Sequence, residues 1–389
     1  MHTDTLQLGD EWGPEKVVCV SDRRSGMRGV LVIDNSARGV GKGGARMSPN
    51  LGVMEVARLA RTMTWKWAAV DLFHGGAKAG IIGDPDAPNK EEVLRAFARA
   101  FANEVPAEYV FGLDMGLTEK DAAIFVDELG DRGAAVGLPR VLGGLPYDQL
   151  GVTGFGVAEA TDAAASAISL PLTGASVAVQ GFGAVGRAAA ERLVELGAII
   201  TAVSTATGAV VDKDGIDLPR LAALSRELGD SCVIEYGGAL DPTAALRTGA
   251  QILVPAARED VIDKDLAAST DARLIVEGAN MPTTPAALEI LHARGVTVVP
   301  DFIANAGGVI AAAHSMDARY SPFPVDPGTV FAMISTKMRQ NTPAVVAEAR
   351  TRNLTTHAAA HEVAQERVRA AMALRGQIPA GRGEVHEHA

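Results

Sequence analysis

The chain has 389 residues, 48% of them hydrophobic and only 4% aromatic, which is enough apolar material for two domains built as close-packed α/β layers and argues against an aromatic nucleic-acid platform. Lysine and arginine total 36 against 47 aspartate and glutamate, a net charge of -11 that excludes a general phosphate-backbone binder, so an anionic substrate must be met by a few gathered lysines. Cys19 and Cys232 are too few for a disulfide framework or a zinc site, no metal is expected, and no apolar run has signal-peptide or membrane-span length, so the reading is a soluble, cytoplasmic protein without a membrane partner.

In chain order, Val17 to Val20 and Met27 to Asp34 read as antiparallel strands around a charged turn. A glycine-rich segment follows, then a helix over Met54 to Val70, a loop-then-strand at HGGAKAGIIGDP, and an amphipathic helix over Lys90 to Val105. This half is mixed α/β and lacks a nucleotide fingerprint. Near residue 150 the character changes to βα units, with strands at Ser176 to Gln180, Ile199 to Val203, Ile252 to Val254, Leu274 to Val276 and Val296 to Val298, which predicts a mainly parallel sheet. SPFPVDPG breaks that pattern, and the remainder reads as helices ending in a polar tail, GRGEVHEHA.

VAVQGFGAVGRAAAERLVELGA places Gly181, Phe182, Gly183, Ala184, Val185 and Gly186 between a strand and a helix. The first glycine permits the turn, the second lets a pyrophosphate approach the backbone, and the third lets helix and strand pack. The helix N-terminus then faces the phosphates. The position that separates NAD from NADP falls at the end of the next strand, AVSTATG, where Thr205 and its neighbours supply no carboxylate for a ribose 2′-OH and no adjacent arginine for a 2′-phosphate. The cofactor is therefore NAD or NADP, with a slight lean to NADP.

Lys42, Lys66 and Lys78 are each flanked by glycine or apolar residues, as is Asp114 in FGLDMGLTEKD. Each has an ordinary explanation: Lys66 as a stem that snorkels from its helix, Lys78 as a turn residue, Asp114 as a cap before LTEKD. Amino-acid oxidation explains them together. A carboxylate substrate needs fixed cations, a lysine held among apolar groups and other cations has a lowered pKa suited to moving protons near neutrality, and Asp114 can shuttle a proton to and from nitrogen.

The ordered runs GKGGARMSPN, MTWKWA, GGAKAGIIGDP, DMG, LGVTGFGV, GFGAVG, EGANMPTTPAA and NAGGV resemble the glutamate/leucine/phenylalanine/valine dehydrogenase superfamily over roughly residues 25 to 315. The resemblance implies an α/β fold in which a mixed-sheet substrate domain (residues 1–150, completed by C-terminal helices over 320–389) and a Rossmann-type dinucleotide-binding domain (151–319) are separated by a cleft. It implies that Lys78 is the lysine that activates water and stabilises the carbinolamine and imine, that Asp114 relays protons to nitrogen, and that Lys66 pairs with the substrate α-carboxylate. Thr153 and Asn280 fall near nicotinamide and substrate, Asn305 at the cleft, and Gly43 and Gly44 allow close backbone approach to the substrate. The partners implied are an amino acid, its 2-oxo acid and ammonia, in a homo-oligomer.

Lys42 stands where glutamate-specific relatives place the lysine that meets the side-chain carboxylate, which favours glutamate and 2-oxoglutarate. Against it, Ala312 stands where those enzymes carry a serine, Ala79 replaces a family glycine, and GGARM and LGGLPYDQLGVTG resemble the leucine-like and uncharacterised branches. Two alternatives therefore stand beside glutamate: a dehydrogenase for an apolar or unusual amino acid with Lys42 bent toward solvent, and a non-catalytic nucleotide-binding regulatory subunit.

Overall fold

The computed structural model describes residues 5–238 and 240–379; the first four residues and the tail GRGEVHEHA lie outside the described residues. The chain divides into two compact units, the first reaching Gly144 and adding Arg319–Pro322 and the chain from Glu362, the second formed by Leu145–Ala318 and Phe323–His361.

The first unit holds β1 (Lys16–Ser21), β2 (Arg28–Asn35), β3 (Gly41–Ser48), α1 (Val53–Ala69), β4 (Gly75–Ile82), α2 (Lys90–Ala100), β5 (Tyr109–Leu113) and α3 (Glu119–Leu129). Its sheet runs β1-β2-β4-β3-β5, with β1 and β4 antiparallel to β2 and with β4 and β5 parallel to β3. α1 covers one face through Val56 and Ala60 against Val30, Val32 and Leu51. On the other face α2 and α3 bury Phe97, Phe101 and Phe125 against Phe111 of β5, with the Phe111 and Phe125 rings stacked at 4.2 Å. Together with Tyr109 these four phenylalanines close that core. The glycine-rich segment around Lys42, to which the sequence reading assigns no element, is strand β3, and in HGGAKAGIIGDP, read as loop then strand, the strand β4 already begins at Gly75. Their glycines serve close packing: a Cβ on Gly43 would lie 1.7 Å from the Ala77 carbonyl oxygen.

The second unit holds α4 (Tyr147–Leu150), α5 (Val152–Ala167), β6 (Ser176–Gln180), α6 (Ala184–Glu195), β7 (Ile199–Thr205), β8 (Gly208–Val211), α7 (Leu218–Leu228), α8 (Cys232–Tyr236), β9 (Ile252–Pro255), α9 (Lys264–Ser269), β10 (Leu274–Val276), α10 (Pro285–Ala293), β11 (Thr297–Val299), α11 (Asp301–Ala304), α12 (Gly307–Ala318) and α13 (Pro327–Arg352). The sheet order is β11-β10-β9-β6-β7-β8, parallel throughout except for β8, a hairpin partner of β7 that the sequence pattern does not announce.

The C-terminal helices depart from the expected division. α13 stays with the second unit because Glu159 of α5 is fully buried and needs it: Arg339 reaches Glu159 Oε2 at 2.9 Å and Ser335 donates to it at 2.6 Å, while Arg192 of α6 holds Oε1 at 2.8 Å. α14 (Thr356–Leu374) belongs to the second unit through His361 and to the first from Glu362. There Arg367 donates to the Ala68 and Ala69 carbonyls at 2.8 and 3.0 Å, capping the C-terminal end of α1. Among the described residues no helix is long and apolar enough to cross a membrane.

Candidate active site

β3 lies between β4 and β5, and the register sets Lys42 level with Gly76 and with Val110, and Gly44 level with Gly112. The central strand therefore carries Gly43 and Gly44 where its neighbours bring charge. Lys78 of β4 forms an ion pair with Oδ2 of Asp114, one residue past β5. A Cβ on Gly44 would stand 2.8 Å from the Asp114 Cβ, so glycine there is what leaves Asp114 its place. The capping position before α3 is filled by Thr118 and Asp121 in a capping box, which leaves Asp114 to Lys78.

Arg46, two residues beyond Gly44 on the same strand, donates to Asp114 Oδ2 at 3.3 Å and to Glu55 of α1 at 2.9 Å. Sequence reasoning passed over it, although a strand period of two from Lys42 through Gly44 to Arg46 is a usable signal. Burial would raise the Asp114 carboxyl, but Lys78, the Met115 N–H and Arg46 outweigh it and hold it below the usual carboxylate range. Burial lowers the Lys78 ammonium, and Asp114 only partly restores it.

Lys42 is 3% exposed, which overturns the expectation of a side chain bent toward solvent in the apolar-substrate reading. Its Nζ donates to the Val110 and Phe111 carbonyls at 3.2 and 3.0 Å, and among the described residues it forms no ion pair. Burial, then the charges of Lys78 and Arg319, bring its pKa down to about 7. Lys66 is half-buried on α1, next to Trp67, whose indole N–H donates to the Lys42 carbonyl at 2.9 Å. His74, just before β4, packs edge-on against Trp67 with ring centroids 5.0 Å apart.

In the second unit the glycine turn runs from β6 into α6. Gly181 takes φ +91°, and a Cβ on Gly186 would fall 1.8 Å from the Gly181 oxygen, so both demand glycine. A Cβ on Gly183 would meet nothing within 4 Å, and no side chain caps the first turn of α6. That open, uncapped N-terminus, with Phe182 buried beneath it and Ala184 and Val185 beginning the helix, fits a dinucleotide pyrophosphate. Thr205 is buried at the end of β7 and spends its hydroxyl proton on the Asp230 carbonyl at 2.6 Å. Asn305 at the end of α11 donates to Asn280 Oδ1 at 3.0 Å, joining two expected site residues, and Gly308 packs against Thr153, a Cβ there lying 3.1 Å from its hydroxyl.

Two family models match the chain: Glu/Leu/Phe/Val dehydrogenase, dimerisation domain, over residues 14–131, and Glutamate/Leucine/Phenylalanine/Valine dehydrogenase over residues 143–376. A glutamate dehydrogenase of Aeropyrum pernix is 36% identical over 362 residues, covering 88% of this chain and 85% of the relative. An NADP-specific glutamate dehydrogenase of Saccharolobus shibatae is 36% identical over 327 residues, 80% of this chain and 77% of the relative. Among solved structures, the hetero-hexameric glutamate dehydrogenase of Thermus thermophilus in its Leu-bound form superposes with a TM-score of 0.79 at 31% identity, covering 94% and 91% of the two chains.

Proposed function

The chain belongs to the Glu/Leu/Phe/Val dehydrogenase family as an NAD(P)-dependent amino-acid dehydrogenase, and from that premise we propose that its substrate is L-glutamate, deaminated reversibly with water to 2-oxoglutarate and ammonium. The observation that carries the choice is Lys42: a buried ammonium with carbonyl partners and, among the described residues, no anion, which a distal substrate carboxylate would complete. The named activity of the A. pernix and S. shibatae relatives supports it.

In this reading the first unit binds substrate. Lys66 pairs with the α-carboxylate, and Gly43 and Gly44 keep the strand surface clear. Lys78, its pKa lowered by burial, has an amine able to take a proton from water and to steady the carbinolamine and imine oxygen and nitrogen as charge moves. Asp114, held ionised by Lys78 and Arg46, accepts and returns the proton at the substrate nitrogen. The second unit binds the dinucleotide at Gly181–Gly186, with Thr153, Asn280 and Asn305 toward the nicotinamide end. When bound, the nicotinamide takes the hydride released from the substrate α-carbon. The absence of a carboxylate side chain from Ser204–Thr207 supports NADP over NAD.

We assign the working form to a cytoplasmic homo-oligomer. The dimerisation-domain match over residues 14–131 supports association, and light scattering of the purified chain alone tests whether it assembles without a second subunit type. An apolar amino acid is the competing substrate, favoured by Ala312, which has no hydroxyl for a second carboxylate contact. Rates with glutamate, aspartate, leucine, valine and phenylalanine, each with NAD and NADP, separate the two. Glutamate-led turnover supports the Lys42 reading, and turnover led by an apolar amino acid overturns it.

A further inference from the structure

Three side chains of the second unit that have no place in the proposed reaction converge at the C-terminal ends of β10 and β11. Glu277 follows β10, Asp301 opens α11 and His357 lies in the first turn of α14; the ligand atoms they offer all lie within 4.8 Å of one another. Glu277 is 0% exposed. Its Oε2 accepts the Asp301 N–H at 2.9 Å and faces His357 Nε2 at 2.8 Å, while its Oε1, buried, makes no hydrogen bond among the described residues. His357 Nδ1 is likewise buried without a partner among them. Asp301 turns Oδ1 to the Phe302 N–H at 2.7 Å and Oδ2 to the Met281 N–H at 2.8 Å, and each oxygen keeps a lone pair.

Among the described residues neither Glu277 nor Asp301 is paired with a lysine or arginine. The contrast with Glu159, equally buried but held by two guanidinium groups, is direct. A fully buried carboxylate beside a second carboxylate needs positive charge. One helical turn past His357 stands His361, giving the His-x3-His spacing that puts two imidazoles on one helix face. Its ring packs on Phe302, the residue after Asp301, at 4.8 Å between centroids.

We propose that Glu277, Asp301 and His357 form a binding site for a divalent first-row transition metal ion. Two carboxylate oxygens and an imidazole nitrogen suit the borderline ions zinc, cobalt and manganese, and one nitrogen donor disfavours magnesium and calcium. Ligands at ~2.0–2.2 Å from an ion lie at most about 4.4 Å apart, so small side-chain rotations close the set, with Oε1 of Glu277 free to enter it. His361 is placed to bring a second imidazole. Because Asp301 also holds the Met281 N–H, the ion would tie α14 to the loop that carries Asn280.

The test uses the full chain stripped with chelator and titrated with cobalt(II), read by its visible d–d absorption and by isothermal calorimetry, with zinc as competitor. The expected result is one cobalt per chain at micromolar concentration, displaced by zinc, with a rise in unfolding temperature at saturation. The His357→Arg variant places a cation beside Glu277 but offers no lone pair, and it retains every other histidine. It should weaken that site at least about 100-fold while dinucleotide binding persists. Should that variant fold poorly, Asp301→Asn gives the same reading. No stoichiometric cobalt below millimolar in the parent chain, or equal binding in the variants, overturns the proposal and leaves the hydrogen bond between His357 and Glu277 as a purely structural contact. Neither readout uses turnover, so the metal site and the glutamate assignment fail separately.

Discussion

Two buried charges, Glu159 between α5 and α13 and Lys42 on β3, obey the same electrostatics with opposite results. Glu159 is enclosed by Arg192, Arg339 and Ser335, and although burial alone would raise its carboxyl, these partners bring it below the ordinary range. Lys42 has, among the described residues, two carbonyls for partners, feels Lys78 and Arg319 as repulsion, and sits near a pKa of about 7. A buried charge finished by its own chain holds a structure together. One left short of a counter-charge is poised for something that arrives from outside.

The sharpest way to probe the unfinished region is Lys78→Ala, which should lower kcat/KM by on the order of 10⁴-fold, the upper end for a positioned proton-transfer group, while dinucleotide binding by fluorescence titration stays unchanged. Activity within about tenfold of the parent would remove Lys78 from the chemistry.

In the finished region, Glu159→Gln removes the buried charge that Arg192 and Arg339 share but leaves them Glu195 and Asp162, and it should cost about 1–3 kcal/mol of unfolding free energy in urea titrations, with KM for substrate unaltered below the transition. A changed KM would mean that this charge cluster reaches the reaction and is not a purely structural one.

Lys42→Leu should cut kcat/KM for glutamate by about 100-fold and raise that for norvaline or leucine, within the ~2–5 kcal/mol attached to a buried charge contact. An unchanged substrate profile would show that Lys42 does not read the side chain.

The pH dependence follows from the same residue. Glutarate, a non-reacting dicarboxylate, needs protonated Lys42, so its Kd by calorimetry should rise about tenfold per unit as pH climbs above about 7. Lys42→Leu should flatten that slope. The linkage to stability has the opposite sign. With the folded pKa near 7 and the ordinary lysine value of 10.5 in the unfolded chain, the folded chain binds fewer protons across that window, so the Lys42 contribution to stability improves as pH rises from about 7 toward 10.5.

The smallest effect is expected at Thr205→Asp. An acid at the end of β7 should shift the ratio of NAD to NADP affinity toward NAD by about tenfold, one charged hydrogen bond's worth. Because the Thr205 hydroxyl already serves the Asp230 carbonyl, a change in melting temperature should accompany it.

The glycine turn between β6 and α6 was legible because its logic is local: Gly181, Gly183 and Gly186 act on the backbone they belong to, between a strand and a helix that are contiguous in sequence. Likewise the parallel strands β6, β7, β9, β10 and β11 follow from apolar runs at βα spacing. Lys42, Lys78 and Asp114 could be suspected one by one from their apolar surroundings. Their union needed the strand order β4-β3-β5, which no local pattern contains, since glycine-rich β3 does not read as a strand until partners lie on both sides. Arg46 becomes a partner of Asp114 only across that sheet, and the place of α13 is set by a carboxylate far away in sequence. Sequence by itself determined which residues are short-range necessities of turn, cap and strand. Tertiary structure decided which buried charges are completed by the chain and which are left for a ligand, because desolvation and counter-charge depend on neighbours that only folding brings together.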